Sequence, residues 1–390
     1  MIRRVAVVTG TRAEYGLLAP LMEILKTDPD FELRLIVTGT HLSERFGMTV
    51  RAIEADGFAI DARVPLPLDD DSPRGIIRAM AAVQTGIAEA LEQAHPDVVV
   101  MLGDRYEILA AAEAAFIMGY PIAHIHGGET TEGAMDDGFR HAITKLSYLH
   151  FVTAEPYRRR VIQMGESPDR VMTVGAPGLD VIERIKMLPL EALERELGFV
   201  LGPRYFLVTY HPETMDREFG AEGLANLLAA LDEFPDHKVV VTGQNADPGY
   251  ARIASMVSDY AAARQDRVLL RSSLGQQRYL NAMKHCAAVV GNSSSGVIEA
   301  PALGVPTVNI GDRQKGRLRA KSVVDCAPRK ESIVDALHRV NVDAFRNDAR
   351  RIASPYGSPG ASARIADVLR SATLAHRTGK PFFDLNAQSH

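Results

Sequence analysis

Residues 97–126, DVVVMLGDRYEILAAAEAAFIMGYPIAHIH, decide the reading of the fold. An apolar run from Asp97 to Leu102 leads through a glycine and a charged pair into a helical stretch, Tyr106 to Met118, and then into a second apolar run, Ile122 to Ile125. Short unbroken apolar runs are what strands buried on both faces look like, and a helix between two of them is the crossover that parallel strands require. The stretch predicts a strand, helix, strand unit of a parallel sheet with polar residues gathered where the strands end.

The same alternation extends in both directions. Upstream, Val5 to Thr9 leads through GTRAEYG (10–16) into a helical pattern of Leu17, Leu18, Leu21, Met22 and Leu25, and Phe31 to Val37 is the next strand, ending in TGTHL. Leu66 to Arg74 is polar and proline-bearing and reads as a loop before a helix at Gly75 to Ala94. Downstream come a strand at Leu149 to Thr153, a helix at Glu155 to Met164 and a strand at Val171 to Val174. Between Gly175 and Pro203 the pattern turns charged and helical, with Pro177, Pro189 and Pro203, and here the chain is expected to cross into a second domain. A second series has strands at Tyr205 to Thr209, Lys238 to Thr242, Arg267 to Leu270, Ala287 to Val290 and Thr307 to Ile310. Its last helix, Ser362 to His376, comes after the breaker SPYGSPG (354–360).

Length and composition agree with this class. A chain of 390 residues exceeds one ordinary core, so two domains are expected; 46% hydrophobic and 24% charged residues suit a globular α/β protein. A net charge of -5 argues against a phosphate-backbone reader, so no nucleic acid is expected as partner. Cys286 and Cys326 lie far apart and suit a reducing compartment. MIRRVAVVTG reads as a first strand rather than a signal peptide, and no apolar stretch is long enough for a bilayer. The expectation is a cytoplasmic enzyme without a membrane partner.

The chemistry-bearing residues gather in HIHGGETTEGAMDDGFRHAIT (124–144), directly after a strand. Strand alternation puts His124 and His126 on one side, with His126 at the tip and His124 better read as a hydrogen-bonded core histidine. HExxH and a cysteine pair are both missing, so acid–base work is favoured over a metal. Asp136 and Asp137 open a helix in which Arg140 and His141 stand at i,i+4. Such carboxylates are either a salt-bridged helix face or members of a proton-transfer site. Asp104 and Arg105 in LGDRYE are either a helix N-cap with a solvated arginine or a charged pair at the sheet's carboxyl edge. GTRAEYG has neither dinucleotide nor P-loop spacing; its Arg12 stands at a helix N-terminus that favours an anion, or is a surface arginine in an ordinary turn.

In the second series, TYHPET (209–214) puts His211 at a strand tip. GNSSSGVIEA (291–300) opens a helix with glycines, three serines and free backbone N–H groups, more hydroxyls than a cap needs, and reads as a phosphate cradle. Glu299 lies within reach of sugar hydroxyls. GDRQKGR (311–317), with Arg313, is a basic clasp or a solvated loop.

Taken in order, GTRAEYG, LGDRYE, HIHGGE, DDGFRHAITKLS, HPET and GNSSSGVIE resemble the hydrolysing UDP-N-acetylglucosamine 2-epimerases of sialic-acid and legionaminic-acid biosynthesis, over nearly the whole chain. The resemblance implies a GT-B-like α/β fold of two Rossmann-like domains, residues 1–178 with 362–390 and residues 179–361, with the substrate in the cleft. It implies Arg12, His211, Asn245, Ser293, Ser294, Glu299 and Arg313 as UDP contacts. The catalytic set it implies is His41, Asp104, Arg105, His126, Glu129, Asp136 and Arg140. It further implies a UDP-sugar substrate, a homodimer or homotetramer, and catalysis without cofactor or metal. Many members of the wider superfamily have glutamate where this chain has His126. VTGTHL differs from the VTAQH pattern of allosteric non-hydrolysing relatives, which favours hydrolysis. A GT-B glycosyltransferase using a UDP-sugar donor is the alternative on the same fold.

Overall fold

The computed structural model describes residues 2–132, 134–213, 220–243, 250–374 and 379–385. The chain divides into two units, Met1–Glu129 with Asp136–Val181 and Tyr356–His390, and Thr130–Met135 with Ile182–Pro355. The first unit holds strands β1 (Arg3–Thr9), β2 (Phe31–Thr38), β3 (Ala62–Val64), β4 (Val98–Leu102), β5 (Ile122–Ile125), β6 (Leu149–Val152) and β7 (Val171–Thr173). They form one parallel sheet in the order β3-β2-β1-β4-β5-β6-β7. The second unit holds β8 (Tyr205–Thr209), β9 (Lys238–Thr242), β10 (Val268–Arg271), β11 (Ala288–Gly291), β12 (Thr307–Ile310) and β13 (Val323–Cys326), parallel in the order β10-β9-β8-β11-β12-β13. Each is a doubly wound, Rossmann-like sheet whose strand order reverses beside its first strand, between β1 and β4 or between β8 and β11. Ligands of open α/β sheets bind outside the carboxyl ends at such reversals.

Burial explains why the central strands are legible in the sequence. Val98, Val99, Val100 and Met101 of β4 and all of Val5 to Val8 in β1 are fully buried, so both faces of each strand are apolar. The two strands that the sequence does not announce, β3 and β13, lie at sheet edges, and each carries an internal charged residue, Arg63 or Asp325, that breaks the apolar run. The helix expected from Gly75 begins at Pro73, because Ser72 is its N-cap, accepting from Gly75 N at 3.2 Å, with proline in the first turn. The last helix is Ala361–Ser371 and stops short of His376: Ala372 is extended, and Leu374 packs on the first unit's core instead of continuing the helix. Asp180 fastens that helix within the first unit, accepting from Gly360 N at 2.5 Å, Ala361 N at 3.0 Å and Ser362 N at 2.7 Å.

Residues 379–385 are tied to the same unit by a buried carboxylate. Glu166 accepts from Lys145 Nζ at 2.5 Å, Lys380 Nζ at 2.6 Å and His150 Nε2 at 3.0 Å, while Phe383 N donates to Gly165 O at 2.9 Å. Burial opposes ionisation of Glu166, but the hydrogen bonds from His150, Lys145 and Lys380 prevail and hold its carboxyl at about 2, below its ordinary 4.5. A carboxylate depressed in the folded state stabilises above its unfolded value and loses that contribution as pH falls. Thermal denaturation between pH 4.5 and 2 should therefore show a declining melting temperature in the native chain, and a shallower decline in Glu166→Gln.

Candidate active site

The tips of β4, β5 and β6 are aligned by register, with Leu102 opposite Ile125 and Ile125 opposite Phe151. The residues just beyond each of these strands are therefore brought to the same sheet edge. After β5 the backbone turns sharply: His126 has φ +70°, uncommon for a residue with a side chain, and Gly128 has φ +74°. A Cβ at Gly128 would lie 2.5 Å from Tyr157 O, so only glycine fits. The turn aims the buried Glu129 back at His126, whose Nδ1 lies 2.7 Å from Glu129 Oε1. Thr153 Oγ1, just past β6, donates to the same oxygen at 2.9 Å.

Arg140, on helix Asp136–Leu146 and 1% exposed, closes this arrangement from the side. It donates to Asp104 Oδ2 beyond β4 and, at 3.1 Å, to the main-chain carbonyl of His126, and it stands 4.0 Å from Glu129 Oε2. Asp104 is thus an ion-pair partner; the N-cap of helix Tyr106–Ile117 is Arg105, without a side-chain cap bond. The i,i+4 spacing matches the structure at Asp137 and His141, 3.6 Å apart. For Arg140 it understated the reach of the guanidinium, which spans to Asp104, 36 residues away. Asp136 lies buried in the first turn of that helix.

His126 and His124 part in role. His124 is fully buried, with Nε2 2.8 Å from Gly103 O and Nδ1 3.2 Å from Thr144 Oγ1, the core histidine expected of it. Burial pushes it down to about 3, so it stays neutral. His126 uses Nδ1 on Glu129, which makes Nδ1–H the donor and leaves Nε2 as the basic nitrogen. Nε2 is buried and has no hydrogen-bond partner among the described residues.

His41 is also fully buried, with Nε2 3.0 Å from Thr9 Oγ1 and Nδ1 2.8 Å from Thr49 Oγ1, and burial lowers it to about 4. With both nitrogens engaged, a neutral His41 suits holding the β1 tip. Arg12 is half-buried at the start of helix Arg12–Thr27. Arg105 is buried against Glu107, Nε to Oε1 2.7 Å. Glu14 and Glu107, which sequence reading passed over, are buried beside these residues; their only signal was their place inside GTRAEYG and LGDRYE.

In the second unit, the reversal between β8 and β11 brings the HPET and GNSSSG turns together. His211 N donates to Asn292 Oδ1 at 2.7 Å, and Asn292 Nδ2 returns a bond to His211 O at 3.0 Å. Arg313 Nη1 and Gln314 Nε2 both donate to Asn292 O, at 3.2 and 2.9 Å. Gly291 is required, since a Cβ there would lie 2.0 Å from Thr209 O. Ser294 is the N-cap of helix Ser295–Ala302 without using its hydroxyl as a cap, and Ser293 Oγ lies 3.1 Å from Ser295 Oγ. The turn thus gathers serine hydroxyls at a helix N-terminus. Glu299 is buried on this helix, and Asn245 lies outside the described residues. Asn292, fully buried, is the organiser that sequence reading overlooked. Among the described residues no group of three or more His, Cys, Asp or Glu is arranged to hold a metal ion, and no helix is long and apolar enough to cross a membrane.

The chain has known relatives in sequence and in fold. The family model described as UDP-N-acetylglucosamine 2-epimerase matches residues 23–370. The chain is 38% identical over 323 residues to the GDP/UDP-N,N'-diacetylbacillosamine 2-epimerase (hydrolyzing) of Campylobacter jejuni, covering 83% of this chain and 84% of that one. It is 35% identical over 386 residues to polysialic acid biosynthesis protein P7 of Escherichia coli, covering 98% of each. In structure it is similar to the Methanocaldococcus jannaschii UDP-GlcNAc 2-epimerase in complex with UDP-GlcNAc and UDP, with a TM-score of 0.79 at 18% identity, covering 95% of this chain and 100% of that one.

Because buried Arg140 neutralises the partly buried Asp104, whose side chain is 20% exposed, removing it leaves that carboxylate without its partner. Arg140→Met should cost about 3 kcal/mol in urea unfolding. Arg140→Lys, which keeps the charge but loses the fork, should fall between the native chain and Met.

Proposed function

Because this chain belongs to the UDP-N-acetylglucosamine 2-epimerase family, we propose that it is an epimerase of the hydrolysing kind, releasing UDP and a free manno-configured sugar from a UDP-2-acetamido sugar. A base removes the proton on carbon 2 while UDP leaves carbon 1, giving a 2-acetamidoglycal. Water then adds at carbon 1, and a proton returns to the opposite face of carbon 2. The reaction needs two titratable groups for the two faces and stabilisation of the departing pyrophosphate.

The observation that carries this reading is the His126–Glu129 pair, in which a buried carboxylate orients the imidazole and leaves Nε2 without a partner among the described residues. On this reading His126 Nε2 is the base and Glu129 its orienting partner, in the manner of a carboxylate that fixes a catalytic histidine. Asp104 and Asp136 are the candidates for the second face, with Arg140 and Arg105 keeping the carboxylates in place and His41 supporting the β1 tip. Arg12 at its helix N-terminus is offered to phosphate, and His211, Asn245, Ser293, Ser294, Glu299 and Arg313 to the nucleotide. The names of the Campylobacter and Escherichia relatives favour a product destined for nonulosonic acids. The Campylobacter name also favours a 2,4-diacetamido-trideoxy sugar over N-acetylglucosamine. A soluble cytoplasmic homodimer or homotetramer acting without cofactor is the accompanying expectation.

Incubation with UDP-N-acetylglucosamine or its 2,4-diacetamido-trideoxy analogue in deuterated water should give UDP and a free sugar deuterated at carbon 2, faster for one substrate than the other. UDP release without deuterium in the product would rule out elimination and re-addition. His126→Gln should lower kcat by about a hundredfold or more with little change in KM, as expected for loss of a general base.

A further inference from the structure

Among the described residues, one buried carboxyl beside this site has no cation of its own. Arg105 pairs with Glu107, and Arg140 with Asp104. Glu14, 5% exposed, receives a backbone donor, Gly10 N to Oε2 at 2.8 Å. That bond, with Glu14 N donating to Thr11 Oγ1 at 3.3 Å, accounts for one oxygen as a helix-capping arrangement. It leaves Oε1 unexplained: Glu14 Oε1 and Glu107 Oε2 are both buried without a hydrogen-bond partner among the described residues. Both side chains press on the same backbone, for a Cβ at Gly10 would lie 2.9 Å from Glu107 Cγ and 3.1 Å from its Oε1. Two carboxylates around one glycine, of which only Glu107 is paired with the Arg105 guanidinium, cannot both stay charged away from water without a large cost.

We propose that Glu14 is a positioning residue that works as a neutral carboxylic acid, joining the β1 turn that carries Arg12 to the β4 turn that carries Asp104 and Arg105. The two turns flank the point where the strand order reverses, so their spacing sets where groups from β1 and β4 meet a ligand. As an acid, Glu14 accepts from Gly10 N and keeps an O–H to offer, while Glu107 carries the charge that matches Arg105. Burial, then the charge of Glu107, pushes Glu14 up to about 8, and Arg105 pulls the other way. The ionisable groups facing it are Glu107, Arg105 and Asp104 from the β4 turn; His41, neutral, meets the same β1 tip through Thr9. Ionisation of Glu14 would set a second negative charge against Glu107 and spread the two turns.

The proposal rests on reading this edge as the acid–base site of an epimerase, yet two of its tests need no substrate. Infrared difference spectra of the native chain minus Glu14→Gln should show the carbonyl stretch of a protonated carboxyl at neutral pH, fading as pH passes about 8. Because the folded state holds a proton that the unfolded chain releases above its ordinary 4.5, native stability should fall as pH rises from 4.5 to 8, and Glu14→Gln should flatten that fall. In turnover, Glu14→Gln should carry the alkaline limb of kcat to higher pH, while Glu14→Ala, which also strips the bond to Gly10 N, should lose about tenfold in kcat. Absence of the carboxyl band, or a pH–stability curve that Glu14→Gln leaves unmoved, would overturn the proposal. So would a Glu14→Gln variant as impaired as Glu14→Ala, since that would demand the charged form. If the band and the stability effect are found in a chain that turns over no UDP-sugar, the epimerase reading fails and the neutral Glu14 stands.

Discussion

A single buried guanidinium ties together the residues gathered at the first unit's sheet edge. Arg140 reaches from its helix to a carboxylate beyond β4 and to the main chain beyond β5, so three separate elements share one charge. A buried ion of this kind is tolerable only when an opposite charge compensates it, as Asp104 does for Arg140. That demand works as a constraint on position: Asp104 cannot drift from the His126 turn without stranding a charge. The strained φ of His126 and the obligatory glycine at 128 are sustained by the same packing, which over-determines the turn.

The two sheets share a winding and differ in what stands at their tips. Beyond β4, β5 and β6 lie two carboxylates and an imidazole: Asp104, Glu129 and His126. Beyond β8 and β11 lie hydroxyls, amides and helix N–H groups organised by Asn292, whose carbonyl and side chain knit three segments together. Such groups provide fixed dipoles at any pH, which suits an anion, whereas proton transfer needs groups poised to change charge. One architecture thus presents two kinds of groups, divided by the residues placed after the strands.

Much of this layout is legible in the amino-acid sequence. The central strands announce themselves because burial on both faces makes them apolar throughout, and the polar motifs come after them in the sequence as they do in space. Edge strands β3 and β13 are not legible, because Arg63 and Asp325 interrupt their apolar runs. Among the candidate residues, the motifs contain Asp104, His126, Glu129 and Arg140, but local spacing cannot reveal that Arg140 reaches Asp104. Nor can it reveal that Glu14 and Glu107 crowd one glycine. Those pairings depend on which strands lie side by side, and β1 and β4 are neighbours, Val5 standing opposite Val98, although far apart along the chain.

The class of fold and the kinds of groups gathered beyond the strands can be read from the amino-acid order alone, because periodicity and turn composition are local properties. Only the tertiary structure decided which nitrogen of His126 is the basic one, which carboxylate each of Arg105 and Arg140 neutralises, and that Glu14 shares its glycine with a second carboxylate. Charge states in a buried site depend on partners a few ångströms away in space, and the chain order does not name them.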